Sequence, residues 1–148
     1  MNALVKDGKY MLDDVDFSKI KETFIGFYAT EAQTKETIRS VFEKENYLID
    51  THTAVAAHAA MQYGDIYKAE RKMLTVSTAS PYKFARDVLN ALDSEKNIDG
   101  TEALEALSSA TATEILQPLS GLDKKAIRFS TIIDKAEMTD AVLKFAAN

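Results

Sequence analysis

The chain has 148 residues, 46% of them hydrophobic, with a formal charge of −5 and no cysteine. That length and composition suffice for one domain with a core of its own. The Lys and Arg residues are scattered among acids, so no basic face offsets phosphate repulsion and nucleic acid is not an expected partner. The lack of cysteine excludes disulfides and thiolate metal sites and suits a cytoplasmic protein. No apolar run approaches the roughly 18 residues that a membrane span requires, so no membrane partner is expected.

From the amino terminus, residues 1–15 form a polar leader carrying Lys6, Asp7, Lys9, Asp13 and Asp14, and this stretch does not read as a signal peptide. Phe17, Ile20, Phe24, Phe27 and Tyr28 then recur at helical spacing, with Asp16 as the expected cap. Thr30 is placed to cap the next helix, which buries Ile38, Val41 and Phe42, exposes Glu31, Lys35, Glu36, Glu43 and Lys44, and stops at Asn46. Thr51 or Thr53 opens a helix rich in alanine (Ala54, Ala56, Ala57, Ala59, Ala60), implying close packing on several faces; Gly64 ends or interrupts it, with Asp65–Ala69 continuing or restarting it. Met73–Val76 reads as a buried strand, Pro81–Leu92 as a helix with Phe84, Val88, Leu89 and Leu92 on one face, and 93–100 as a polar loop. Thr101–Leu107 is a short helix, 117–125 a second loop, Ile127–Phe129 a brief strand, and Lys135–Ala147 a last helix through Met138, Val142 and Phe145.

Two turns carry the chemistry. In Leu74-Thr75-Val76-Ser77-Thr78-Ala79-Ser80-Pro81, an apolar run breaks off into small hydroxyl residues just before a helix. Ser77, Thr78 and Ser80 thus place hydroxyls and free N–H groups at the carboxyl end of a strand, where ligands collect in α/β proteins; the plain alternative is a turn with Ser80 as N-cap. Upstream, Ile49-Asp50-Thr51-His52-Thr53-Ala54-Val55 again ends an apolar run at the mouth of a helix. Asp50 reads first as an N-cap. His52 sits where helix N–H groups favour an anion, or is a structural histidine. Lys83, one turn into its helix, is a phosphate contact or a solvated charge. Asp50 and His52 lack a third metal ligand, because His58 lies six residues past His52 on another face, so no metal site is expected. No serine–histidine–acid arrangement is readable.

The pair of segments, Ile-Asp-Thr-His-Thr-Ala-Val followed by Ser-Thr-Ala-Ser-Pro-Tyr-Lys-Phe, resembles the carboxyl-terminal part of bacterial and fungal threonine synthases. That family usually reads Asp-Pro-His-Thr-Ala-Val and then Ser-Thr-Ala-His-Pro-Ala-Lys-Phe. Thr51 here stands for the first proline, Ser80 for the second histidine and Tyr82 for the alanine, and the likeness extends from about Asp16 through Leu92. It implies a tryptophan-synthase-like, pyridoxal-phosphate-dependent lyase of threonine biosynthesis, acting in the cytoplasm. The whole enzyme would convert O-phospho-L-homoserine and water to L-threonine and phosphate, through γ-elimination of phosphate and β-addition of water. By the same resemblance, Thr78, with Ser77 next, faces the ring nitrogen of pyridoxal phosphate, and His52, Thr53 and Lys83 bind substrate.

The expected fold class is α/β and helix-rich, with helices around a short sheet remnant of a larger fold. The whole of 1–148 is expected to be a carboxyl-terminal fragment, with a motif-bearing part at 16–92 and a helical part at 93–148. Neither the lysine that forms the Schiff base nor a glycine-rich phosphate loop has a counterpart here, since the five glycines are isolated. The chain by itself is therefore expected to be inactive, with no catalytic residue of its own, and to self-associate through the strand at 73–76 or the alanine face. The alternatives are a non-catalytic helical binding module with vestigial motifs, or another pyridoxal-phosphate lyase of the same fold group.

Overall fold

Helix ends organise this structure, a computed structural model that describes residues 2–68, 70–128 and 130–147, with the side chains of Asn2 and Ala3 set aside. Seven α-helices occur among the described residues: α1 (Asn2–Asp7), α2 (Asp14–Thr23), α3 (Glu31–Glu45), α4 (Thr51–Tyr67), α5 (Ala85–Leu92), α6 (Gly100–Thr111) and α7 (Met138–Ala146). Short 3₁₀ turns at Pro81–Phe84, Leu122–Lys124 and Lys135–Glu137 accompany them. The chain divides into two compact units, Met1–Ile115 and Leu116–Asn148. Among the described residues no helix is long and apolar enough to cross a membrane.

The first unit holds the core. α3 begins in a reciprocal capping box: the Gln33 N–H donates to Thr30 Oγ1 at 3.3 Å and the Thr30 N–H to Gln33 Oε1 at 2.9 Å. It ends at Asn46, whose φ of 50° is the left-handed cap that asparagine tolerates. α3 packs on α4 and α5, and α5 packs on α6. The layer between them contains Ile38, Ile49, Ala54, Val88, Leu89, Ala91, Ala103 and Leu107, all buried. Two basic side chains of α3 reach the last turn of α5: Arg39 Nε donates to the Ala91 carbonyl at 3.1 Å and Lys35 Nζ to Asn90 Oδ1 at 2.7 Å. Cations at a helix carboxyl end meet otherwise unpaired carbonyls and the negative end of the dipole. Arg86 in turn grips Asp99 through both carboxylate oxygens, at 2.8 and 3.0 Å, and Asn97 Oδ1 at 3.0 Å, closing the 93–99 loop.

Several expectations are corrected. α2 is capped by Asp13, not Asp16: the Asp13 carboxylate accepts the Asp16 N–H at 2.8 Å, which puts Asp16 in the first turn. α2 ends before Phe24, and Phe17, Ile20 and Phe24 are exposed. Of the alternatives open at Gly64, the helix continues: α4 runs on to Tyr67 and ends at Lys68 in the left-handed region (φ 48°). A single helical glycine costs only about 1 kcal/mol against alanine. The Pro81–Leu92 helix starts as a 3₁₀ turn before becoming α5, and α6 is longer at both ends than 101–107.

The helix-rich character is present; the sheet remnant is not found among the described residues. Residues 73–76 are in neither helix nor strand, and Leu74 is 90% exposed. A strand needs a neighbour for its N–H and C=O groups, and no described segment supplies one. Ile127 and Arg128 are likewise in no strand, and Phe129 lies outside the described residues. In the second unit the helix expected from Lys135 opens as a 3₁₀ turn, with the Asp134 N–H donating to Glu137 Oε2 at 3.2 Å, and continues as α7.

Tyr82, where the threonine synthase pattern has alanine, is buried and has a structural task. Its hydroxyl lies 2.8 Å from both the carbonyl and the Oγ1 of Thr113, just past α6. Ser108 Oγ donates to the same carbonyl at 2.7 Å, and Thr111 Oγ1 lies 2.8 Å from Thr113 Oγ1. Tyr82→Phe keeps the ring and removes this tie. We expect a loss of about 0.5–1.5 kcal/mol in chemical denaturation; an unchanged midpoint would show that the hydroxyl contributes nothing.

Candidate functional site

The site is built at the amino end of α4. Asp50 is its N-cap and is 0% exposed. Its Oδ1 accepts the His52 N–H at 2.9 Å and the Thr53 N–H at 3.4 Å, while its Oδ2 accepts the Thr53 hydroxyl. The Thr53 and Ser77 hydroxyl oxygens are 3.0 Å apart. A carboxylate only accepts, and a threonine hydroxyl has a single proton, so the Thr53 proton belongs to Asp50 and Ser77 is the donor in the second bond. A line of hydrogen bonds thus runs from the 77–78 turn to a buried charge.

Burial pushes the Asp50 carboxyl up, but the Thr53 hydroxyl, the His52 and Thr53 N–H groups and the nearby imidazole outweigh it and hold the group below its ordinary value. Hydrogen bonds to the ionised form favour that form.

Of the residues singled out in the sequence, Ser77 and Thr53 are joined directly. Thr78 is exposed, and its hydroxyl has no hydrogen bond among the described residues. His52 is largely exposed, with Nδ1 3.3 Å from Asp50 Oδ1 and 3.4 Å from Thr51 Oγ1. Its ring lies against Phe84, centroids 4.9 Å apart, and Lys83 Nζ stands 5.3 Å from the centroid of the same phenyl ring. Phe84 is therefore a shared platform for an imidazole and an ammonium, a role not read from the sequence; an aromatic directly after Lys83 was the available signal. His52, Thr51, Thr34, Lys35, Phe84 and Asp87 line a cleft of about 340 Å³ between α3, α4 and the start of α5. Lys83 lines a neighbouring groove of about 300 Å³ that shares Phe84 and Asp87. Ser80, in place of the pattern's histidine, accepts the Tyr82 N–H at 3.2 Å and caps the 3₁₀ turn, with Pro81 in its first turn.

Fold and site together define a helical module that presents hydroxyls and an imidazole from two capped turns. The family model described as "Threonine synthase, C-terminal" matches residues 53–143, which include Thr53, Ser77, Thr78 and Lys83 and begin one residue after His52. The chain belongs to this threonine synthase C-terminal family. It is similar to the threonine synthase of Saccharomyces cerevisiae, 30% identical over 129 residues, covering 82% of this chain and 23% of that protein. It is also similar to those of Corynebacterium glutamicum (34% over 92 residues; 60% of this chain, 18% of the relative) and Pseudomonas aeruginosa (30% over 91 residues; 62% and 19%). The chain thus spans only 18% to 23% of the length of these relatives.

Because folding lowers the Asp50 pKa, its contribution to stability is complete above the ordinary aspartate value near 3.9 and is lost as pH falls through the lower folded value. Asp50→Asn is expected to cost about 1–3 kcal/mol at pH 7. The gap to the unsubstituted chain narrows below about pH 4, as denaturation at pH 7 and pH 3 will show. An equal gap at both would mean that the charge is not what stabilises.

Proposed function

We propose that this chain serves as the carboxyl-terminal part of a threonine synthase, a cytoplasmic, pyridoxal-phosphate-dependent lyase of threonine biosynthesis. The whole enzyme would convert O-phospho-L-homoserine and water to L-threonine and phosphate. Family membership supports this, and the observation that carries it is the hydrogen-bonded line from Asp50 through Thr53 to Ser77, which ties the hydroxyl turn to the helix start bearing His52.

The residues present fit the ring-nitrogen side of pyridoxal phosphate. Thr78 offers a neutral hydroxyl whose proton and lone pairs are uncommitted among the described residues, and Ser77 beside it is anchored. The residues of the 77–80 turn itself are uncharged (Ser77, Thr78, Ala79, Ser80), so the turn brings no carboxylate that would hold a proton on a pyridine nitrogen. The cofactor, when bound, supplies the electron sink for elimination and addition at the substrate carbons. Thr78 would hold the ring nitrogen by a hydrogen bond, and Ser77 would steady the turn. His52 and Lys83, each against Phe84 but lining neighbouring grooves, are the groups suited to the substrate's phosphate. Thr53 belongs to the same wall, and its hydroxyl serves that wall through Asp50 and Ser77. No catalytic lysine and no metal ligand is assigned to this chain.

Thr78→Val keeps the shape of the side chain and removes its hydroxyl. In the whole enzyme, an unpaired ring nitrogen costs about 1–3 kcal/mol, or roughly 5- to 150-fold in turnover if it is felt in the transition state. Turnover and cofactor absorbance are the measurements, and both unchanged would reduce Thr78 to a turn residue.

The segment 73–76 would complete its hydrogen bonds as a strand within a larger sheet. Exposed Leu74 and Val76 on an unpaired segment, and Ala56 exposed on α4, support self-association of the chain when studied alone. Sedimentation over a concentration series is expected to show a dimer. A monomer at every concentration would rule this out.

A further inference from the structure

The Asp50 carboxylate does more than capping requires. Two other caps in the chain, Asp13 and Thr30, work from exposed positions with a single side-chain oxygen. Asp50 is fully buried, and Oδ1 alone satisfies the N–H groups of His52 and Thr53. The second oxygen is devoted to the Thr53 hydroxyl, which meets Ser77. Among the described residues of 70–79, Ser77 is the one hydrogen-bonded to a helix, and no backbone bond holds that segment.

We propose that Asp50 is a positioning residue: acting through Thr53 and Ser77, it fixes where the turn carries the Thr78 hydroxyl. Its negative charge also sets the direction of the line. With an acceptor at its inner end, Thr53 turns its proton inward, Ser77 does the same, and the Ser77 lone pairs are left on the outer side, beside Thr78. A neutral amide at position 50 keeps the Oδ1 cap but puts a donor opposite Thr53, so both hydroxyl protons reverse and Ser77 presents its proton outward. The consequence for the cofactor rests on the reading of Thr78 given above; the mechanical link from Asp50 to the turn does not.

The test uses the full chain and ¹⁵N relaxation. In the unsubstituted chain the Ser77 and Thr78 amides are expected to be rigid, with order parameters near 0.85. Thr53→Val cuts the line while sparing Asp50 Oδ1 and the cap; it is expected to lower those two order parameters below about 0.6, leaving His52 and Ala54 unchanged. Thr53→Ser restores the hydroxyl and the rigidity. Asp50→Asn is expected to shift the Ser77 and Thr78 resonances with the start of α4 intact; if it does not fold, the Thr53 pair decides. Order parameters unmoved by Thr53→Val, loosening that spreads equally through the first turn of α4, or no rescue by Thr53→Ser would each overturn the proposal. Failure of the cofactor reading appears elsewhere, as an absorbance of the whole enzyme indifferent to Thr78→Val.

Discussion

A carboxylate taken wholly out of water is the constraint around which this site is arranged. Asp50 is buried at the point where α4 begins, and desolvation by itself raises its pKa. Two backbone N–H groups and a hydroxyl meet it instead, so the charge survives and becomes an organising centre. The helix start, the Ser77 turn and the imidazole of His52 all take their positions from it. Remove that satisfaction and three elements lose a common reference at once.

A second layer of organisation comes from α3. It contributes Ile38 to the core and sends Arg39 and Lys35 to the far end of α5, while Thr34 and Lys35 wall the cleft that His52 faces. The same helix therefore fixes the floor of the cleft and the helix on its opposite wall. Packing and polar end-capping reinforce each other here, as a cooperatively folded unit requires.

What could be read from the residues alone were the devices that act within one turn. Thr30, Asn46, Asp50, Ser80 and Pro81 all behave as their local chemistry dictates, because a cap and its target lie within about one turn of each other. Where two neighbouring acids competed, the reading slipped by one turn: Asp13, not Asp16, starts α2. The strand expected at 73–76 is not found among the described residues for a different reason. An alternating apolar run specifies a face but not a partner, and pairing is decided by chain elsewhere. The candidate site was legible as two turns, yet the bond that joins them, Thr53 to Ser77, spans 24 positions and has no signature in either segment. The contact of His52 with Phe84, two residues far apart in sequence, was hidden for the same reason.

The Tyr82 hydroxyl joins the exit of the hydroxyl turn to the carboxyl end of α6, across 31 positions of sequence. Ser108, Thr111 and Thr113 draw the last turn of α6 into the same polar knot, where Ala112 adopts a φ of 54°. Tyr82, standing where the family pattern has alanine, thus ties the Ser80–Pro81 turn to the end of α6 through one polar knot. Opening the turn then entails loosening α6, so fluctuations at Ser80 and Pro81 are governed by a helix end remote in sequence.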